Sequence, residues 1–131
     1  MFCSLHGDPQ QAFPYFLGYT DETGSGKGVG YNLNYPMPRD TGFTQWQQSL
    51  TAALAKLDEF SPQYLIVSLG VDTFENDPIS FFKLTTVDYF TTGAMIAELR
   101  IPTLFVMEGG YDIDEVGINV LEVLKGFESV K

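Results

Sequence analysis

Hydrophobic and polar positions fall into seven short blocks along the chain. "MFCSL" (1–5) is apolar and strand-like. "VGYNLNYP" (29–36) alternates and is expected to end at Pro36, as a strand does. Leu50, Ala53, Leu54 and Leu57 lie on one helical face, and Thr44 with Gln47 three residues later has capping-box spacing, which places the helix start at Thr44. "YLIVSLG" (64–70) is unbroken apolar and β-branched, the pattern of a strand covered on both faces. "TTVD" from Thr85 to Asp88 opens a second helix, carrying Phe90, Met95, Ile96 and Leu99. "IPTLFVMEGG" (101–110) is another covered strand, with Pro102 at its entrance. Val116, Val120, Leu124 and Phe127 form a last helical stripe, opening at Asp114.

The order β, β, α, β, α, β, α predicts an α/β protein with a mainly parallel sheet. Residues 6–30 and 72–84 are irregular, and loops that long in a compact domain are usually functional. No repeat or interdomain linker is evident, and 131 residues suit one domain. Ligands of open parallel sheets bind beyond the carboxyl ends of the strands. Asp72 follows one strand and the Glu108–Tyr111 segment another. His6 and Asp8 follow the first, so all three loops are expected at one rim.

Charge narrows the partners. Seven basic and 17 acidic residues give a net charge of −10, which opposes binding to a nucleic acid backbone. It suits a solvated acidic surface or a cationic ligand. Cys3 is the single cysteine, so no internal disulfide forms, and its apolar neighbours point to an inert buried thiol. The apolar run from Tyr64 to Val71 is too short to cross a bilayer, and His6 is the only basic residue before Lys27, so no secretory leader is expected. A soluble cytoplasmic protein without membrane or nucleic acid partners is the expectation.

"TGSGKGVG" (23–30) invites a phosphate-loop reading, but Asp21 stands where the leading glycine belongs, Gly28 follows Lys27, and a strand rather than a helix comes next. It reads as a turned loop. Asp72 is either a turn or cap residue or a metal-ligating carboxylate. Glu75, Asp77 and Glu108 read as loop or rim charges; a Mg²⁺ site built from Asp72, Glu75 and Asp77 ranks last, because no phosphate cradle accompanies it. His6, the sole histidine, reads as a hydrogen-bonded loop residue. Gly109 and Gly110 allow backbone to approach a ligand closely. Tyr111 either donates a phenolic proton to an oxygen gaining charge or packs on the following helix.

"SLGVDTFENDP", "LTTVDY", "PTLFVMEGGYD" and "NVLEVLKGFE", preceded by "SLHGDPQQAFPYFLGYTDETGSGKGVGYNLNYP", resemble the carboxy-terminal portion of the histone deacetylase family, in its bacterial acetylpolyamine amidohydrolase branch. The likeness covers nearly all of residues 1–131. It implies part of an arginase-like three-layer α/β/α sandwich and hydrolysis of N-acetyl amides of polyamines or lysine side chains. In that family one Zn²⁺ polarises the acetyl carbonyl and activates a water. The resemblance implies that Asp72 is a zinc ligand and that Tyr111 is the catalytic oxyanion donor. Phe13 becomes a wall of the acyl-lysine channel, with Gly109 and Gly110 in the substrate-binding loop. Ser4 and Leu5 fit one K⁺ site, and Tyr31 contributes to a second. The family's Asp-x-His zinc pair and tandem catalytic histidines have no counterpart here. The isolated chain is therefore expected to be inactive and to form a homo-oligomer over its uncovered apolar surface. The alternative is a non-catalytic, self-associating remnant or binding module.

Overall fold

The computed structural model describes residues 1–130. The chain forms two compact units, Met1–Phe60 and a second from Ser61 onward.

In the first unit, β1 (Phe2–Gly7) and β2 (Asn32–Met37) run parallel, in register from Phe2 opposite Asn32 to Gly7 opposite Met37. β1 runs two residues past its expected end, and β2 starts three residues later than its pattern implies and ends one residue later. His6 lies inside β1 rather than in the loop after it, and β2 passes through Pro36. Proline is tolerated there because, among the described residues, β2 pairs with β1 alone and its other side has no ladder to break. A short strand, β3 (Thr41–Gly42), leads into α1 (Phe43–Phe60), whose Leu50 and Ala53 are buried. The helix therefore begins one residue before Thr44, which is not its cap. The turn that admits it is closed by Thr41, whose hydroxyl donates to the Pro38 carbonyl at 2.7 Å.

In the second unit, β4 (Leu65–Leu69) pairs in parallel with β6 (Thr103–Met107), in register from Leu65 opposite Thr103 to Leu69 opposite Met107. Between them come β5 (Phe82–Lys83) and α2 (Thr86–Ala97), and α3 (Val116–Glu128) follows. The Thr85–Asp88 start is as the sequence implies: the Thr85 amide and hydroxyl both donate to Asp88 Oδ2, at 2.7 and 2.8 Å. Together these elements make an α/β arrangement with parallel pairing of β1 with β2 and of β4 with β6, the fold class expected.

The strands differ from expectation in cover. Leu69 is buried, and Phe105 meets Phe127 of α3 edge to face at 5.2 Å. The opposite face is open: Ile66 is 67% and Leu104 57% exposed, and they are cross-strand neighbours. An unbroken apolar run shows that both faces are suited to burial. It does not say what covers each one, and here α3 meets the face that carries Phe105.

The helix faces also shift. The buried set on α2 is Tyr89, Thr92, Gly93, Ile96 and Ala97, with Phe90 and Leu99 outside it; on α3 it is Asn119, Val123 and Gly126. Glycine explains this. A Cβ on Gly93 would meet the Val123 carbonyl oxygen at 1.9 Å, and one on Gly126 would meet the Phe90 carbonyl oxygen at 1.9 Å. The two helices thus touch backbone to backbone, and large residues move to the flanks. Gly126→Ala is expected to destabilise the chain by about 1–3 kcal/mol through overpacking, although alanine is the better helix former where there is room. Urea unfolding measures this, and an unchanged midpoint would show that the helices do not meet at these glycines.

Candidate functional site

The ladder of β4 and β6 sets the geometry of one rim. It continues past both strands: the Glu108 amide donates to the Leu69 carbonyl at 2.9 Å, and the Val71 amide to the Gly109 carbonyl at 2.8 Å. Asp72 is the first residue beyond that last rung. Its carboxylate lies over Gly109, where a Cβ would stand 2.5 Å from Oδ2, and close to Gly70, where one would stand 3.1 Å from Oδ1. Gly110 has φ +150°, and a Cβ there would strike Val71 and Val116 at 2.7 and 2.8 Å. The close approaches that the two glycines permit are thus made to Asp72 and to two valines.

Two buried side chains hold the segments on either side of this carboxylate. The Tyr89 hydroxyl donates to the Val71 carbonyl at 3.0 Å and lies 2.9 Å from Thr73 Oγ1, so it grips the residues before and after Asp72. Burial pushes the Tyr89 phenol well above its ordinary pKa, which keeps it a donor. Asp77 is 6% exposed, not the rim charge its sequence position implies. Its Oδ1 accepts from the Ile79 amide at 3.1 Å; its Oδ2 accepts from the Tyr111 and Asp112 amides at 2.7 and 3.1 Å. Buried carboxylates persist when backbone donors saturate them. Asp112 in turn accepts from the Asp114 and Glu115 amides at 3.1 and 3.2 Å, so it, rather than Asp114, prepares the entry to α3. Tyr111 stands between these anchors and is 53% exposed, so its phenol is not packed away on the helix. Glu75 and Glu108 are exposed.

In the first unit, His6 is held at both ring nitrogens: Nδ1 lies 2.7 Å from Ser4 Oγ, and Nε2 donates to the Gly18 carbonyl at 2.8 Å. A Cβ on Gly18, at φ +100°, would stand 2.5 Å from Nε2, so only glycine admits the ring. This contact closes a loop carrying Phe13, Tyr15, Phe16 and Leu17, all exposed, with Phe13 at 85%. Tyr15 and Phe16 both take left-handed backbone, φ 61° and 60°, a conformation that costs non-glycine residues about 1–3 kcal/mol each. Ser4, His6 and Phe13 line a cavity of about 350 Å³. Leu5 lies within β1 opposite Tyr35, and the Tyr31 carbonyl accepts from the Phe2 amide at 2.8 Å. Burial raises the Cys3 thiol pKa, in keeping with an inert thiol.

Zinc sites use three or four protein ligands. Among the described residues no three His, Cys, Asp or Glu side chains converge on a metal position, so Asp72 does not hold zinc with these residues alone, and the Asp72–Glu75–Asp77 magnesium site is not formed. No described helix is long and apolar enough to cross a membrane.

The Asp72 carboxyl is raised above the usual carboxylate range, first by burial and then by the Asp77 charge, against a lowering from its own backbone amide. A raised folded pKa favours the folded state below the unfolded pKa, and that stability is lost as the pH rises through the folded value. At neutral pH the ionised Asp72 therefore destabilises the fold. Asp72→Asn is expected to raise Tm at pH 7, with a gain that fades as the pH falls toward about 3.9, where the wild-type carboxyl is protonated too. Thermal melts across that range check this, and a lower Tm for the variant at pH 7 would contradict it.

The sequence profile of the histone deacetylase domain matches residues 1–127. Acetylpolyamine amidohydrolase from Mycoplana ramosa is 57% identical over 95% of this chain and 37% of its own length. Acetylpolyamine amidohydrolase 2 of Pseudomonas aeruginosa is 52% identical over 99% of this chain and 38% of its own. The crystal structure of acetylpolyamine aminohydrolase from Burkholderia pseudomallei superposes with a TM-score of 0.95 at 38% identity, covering 98% of this chain and 37% of that one. A deacetylase homologue complexed with SAHA gives 0.85 at 30%, over 95% and 34%. The chain thus spans a little over a third of the length of these relatives, and across that span sequence and fold agree: it belongs to the histone deacetylase family.

Proposed function

We propose that these residues form one side of the active site of a zinc-dependent deacetylase that hydrolyses N-acetyl amides of polyamines or of lysine side chains. The observation that carries this reading is the shared rim of β4 and β6. There a partly buried carboxylate with no cationic partner among the described residues, Asp72, and an exposed phenol on a fixed backbone, Tyr111, follow hydrogen-bonded parallel strands. A desolvated anion of that kind suits one ligand position of a metal whose other ligands come from outside these residues. The Tyr111 phenol donates a hydrogen bond to the substrate oxygen as charge develops on it. In the first unit Phe13, exposed beside Tyr15 with ring centroids 6.3 Å apart, is a wall for an aliphatic stem; in the second unit Gly109 and Gly110 shape the backbone just after β6. Ser4 and Leu5 at one site and Tyr31 at another serve K⁺ in this reading. The arginase-like three-layer sandwich belongs to it too. The net charge of −10 accords with a cationic polyamine substrate.

The test is made in the full-length protein in which these residues occur. Asp72→Ala is expected to abolish zinc retention. Tyr111→Phe is expected to keep zinc and lower kcat about 10²–10³-fold, the usual cost of one oxyanion donor. A Tyr111→Phe enzyme with unchanged kcat would contradict the role given to the phenol. Residues 1–131 alone are expected to show no turnover.

The open face of β4 and β6 favours a second reading for residues 1–131 by themselves, as a self-associating module. Ile66, Leu104 and Val106 leave apolar sheet exposed, and such faces rarely stay bare in solution. Light scattering is expected to give a dimer or larger at tens of micromolar; a clean monomer would contradict this.

A further inference from the structure

Asp77 is the least exposed acidic residue of the second unit, and all the hydrogen bonds its carboxylate makes go to backbone N–H groups. One oxygen serves its own turn, at the Ile79 amide. The other crosses 34 and 35 residues of sequence to the amides of Tyr111 and Asp112. Three converging donors call for a group that only accepts. A carboxylate meets that need, and an asparagine would turn an NH₂ toward at least one of them. Pro78 adds to this, since the residue before a proline is held out of the helical region. The proline thus narrows the turn locally, apart from the long-range bonds.

The two amides are those of the exposed phenol's residue and of the residue after it. They set the direction in which the Tyr111 side chain leaves the backbone. Gly110, just before them, takes φ +150° and supplies no stiffness of its own. Without Asp77, the Gly109–Tyr111 segment keeps the hydrogen bond that the Gly109 carbonyl accepts from Val71, the packing of Gly110 on Val71 and Val116, and the entry of Asp112 into α3, and none of these holds the Tyr111 amide.

We propose that Asp77 is a positioning residue for Tyr111, acting through the Tyr111 and Asp112 amides and not by touching substrate. Its catalytic consequence rests on the reading of Tyr111 as the oxyanion donor; the anchoring itself does not. Charge-assisted bonds to backbone amides are the stronger kind, and losing them matters at a group that must sit within a fraction of an ångström of its target.

The experiment uses Asp77→Asn in the full-length protein, with amide hydrogen exchange and steady-state kinetics side by side. Exchange at Tyr111 and Asp112 is expected to quicken about tenfold or more, while the β6 amides Thr103–Met107 keep their protection and report an intact fold. Unchanged exchange at both amides would overturn the proposal. In kinetics, kcat is expected to fall about 10–100-fold at constant KM. The same substitution on a Tyr111→Phe background is expected to cost little more. An undiminished loss on that background would show that Asp77 acts by another route and overturn the proposal. Asp77→Glu keeps an acceptor-only carboxylate and is expected to recover part of the exchange protection and part of kcat. Recovery of neither would reduce Asp77 to packing and likewise overturn the proposal. Faster exchange at the two amides together with full kcat in Tyr111→Phe would uphold the anchoring and overturn the reading of Tyr111 instead.

Discussion

The close contact between the Asp72 carboxylate and the backbone of Gly109 is the constraint on which the rim depends. Two parallel strands bring their ends side by side only while the ladder lasts, and here it lasts one rung past Leu69 and Met107. Beyond it a side chain on residue 109 would occupy the place that Asp72 takes. Backbone pairing, a missing side chain and a partly buried carboxylate are thus one arrangement. Tyr89 fixes it from beneath, and Asp77 extends it to Tyr111.

The arrangement is not built for stability. It places two carboxylates, Asp72 and Asp77, near enough for one to raise the pKa of the other, and among the described residues no cation offsets that rise. A fold selected for stability alone would pair or remove such a charge. Destabilising charge of this kind concentrates at functional sites, and the same trade recurs in the left-handed Tyr15 and Phe16 that carry the exposed aromatic loop. Cost in both units falls at the segments that the family resemblance links to chemistry.

Much of this was legible in the sequence where local rules suffice. The Thr85–Asp88 start needs only four residues, and the motif series "SLGVDTFENDP" to "PTLFVMEGGYD" placed Asp72 and Tyr111 at strand ends. What failed depended on partners distant in sequence. The run "YLIVSLG" did not reveal that Ile66 would stay exposed. Phe90 looked like a core residue because the glycines that bring α2 against α3 carry no hydrophobic signal. Asp77 looked like a loop charge because its decisive partners lie 34 and 35 residues away. His6 looked like a loop residue because the extension of β1 depends on β2.

Asp72 either ligates a metal or only closes its own turn. Diffraction at the zinc edge from crystals of the full-length zinc-loaded protein would decide it. An anomalous peak about 2.0–2.2 Å from an Asp72 carboxylate oxygen is the predicted result. Zinc bound elsewhere, with Asp72 beyond bonding distance and hydrogen-bonded within its own turn, would contradict the account.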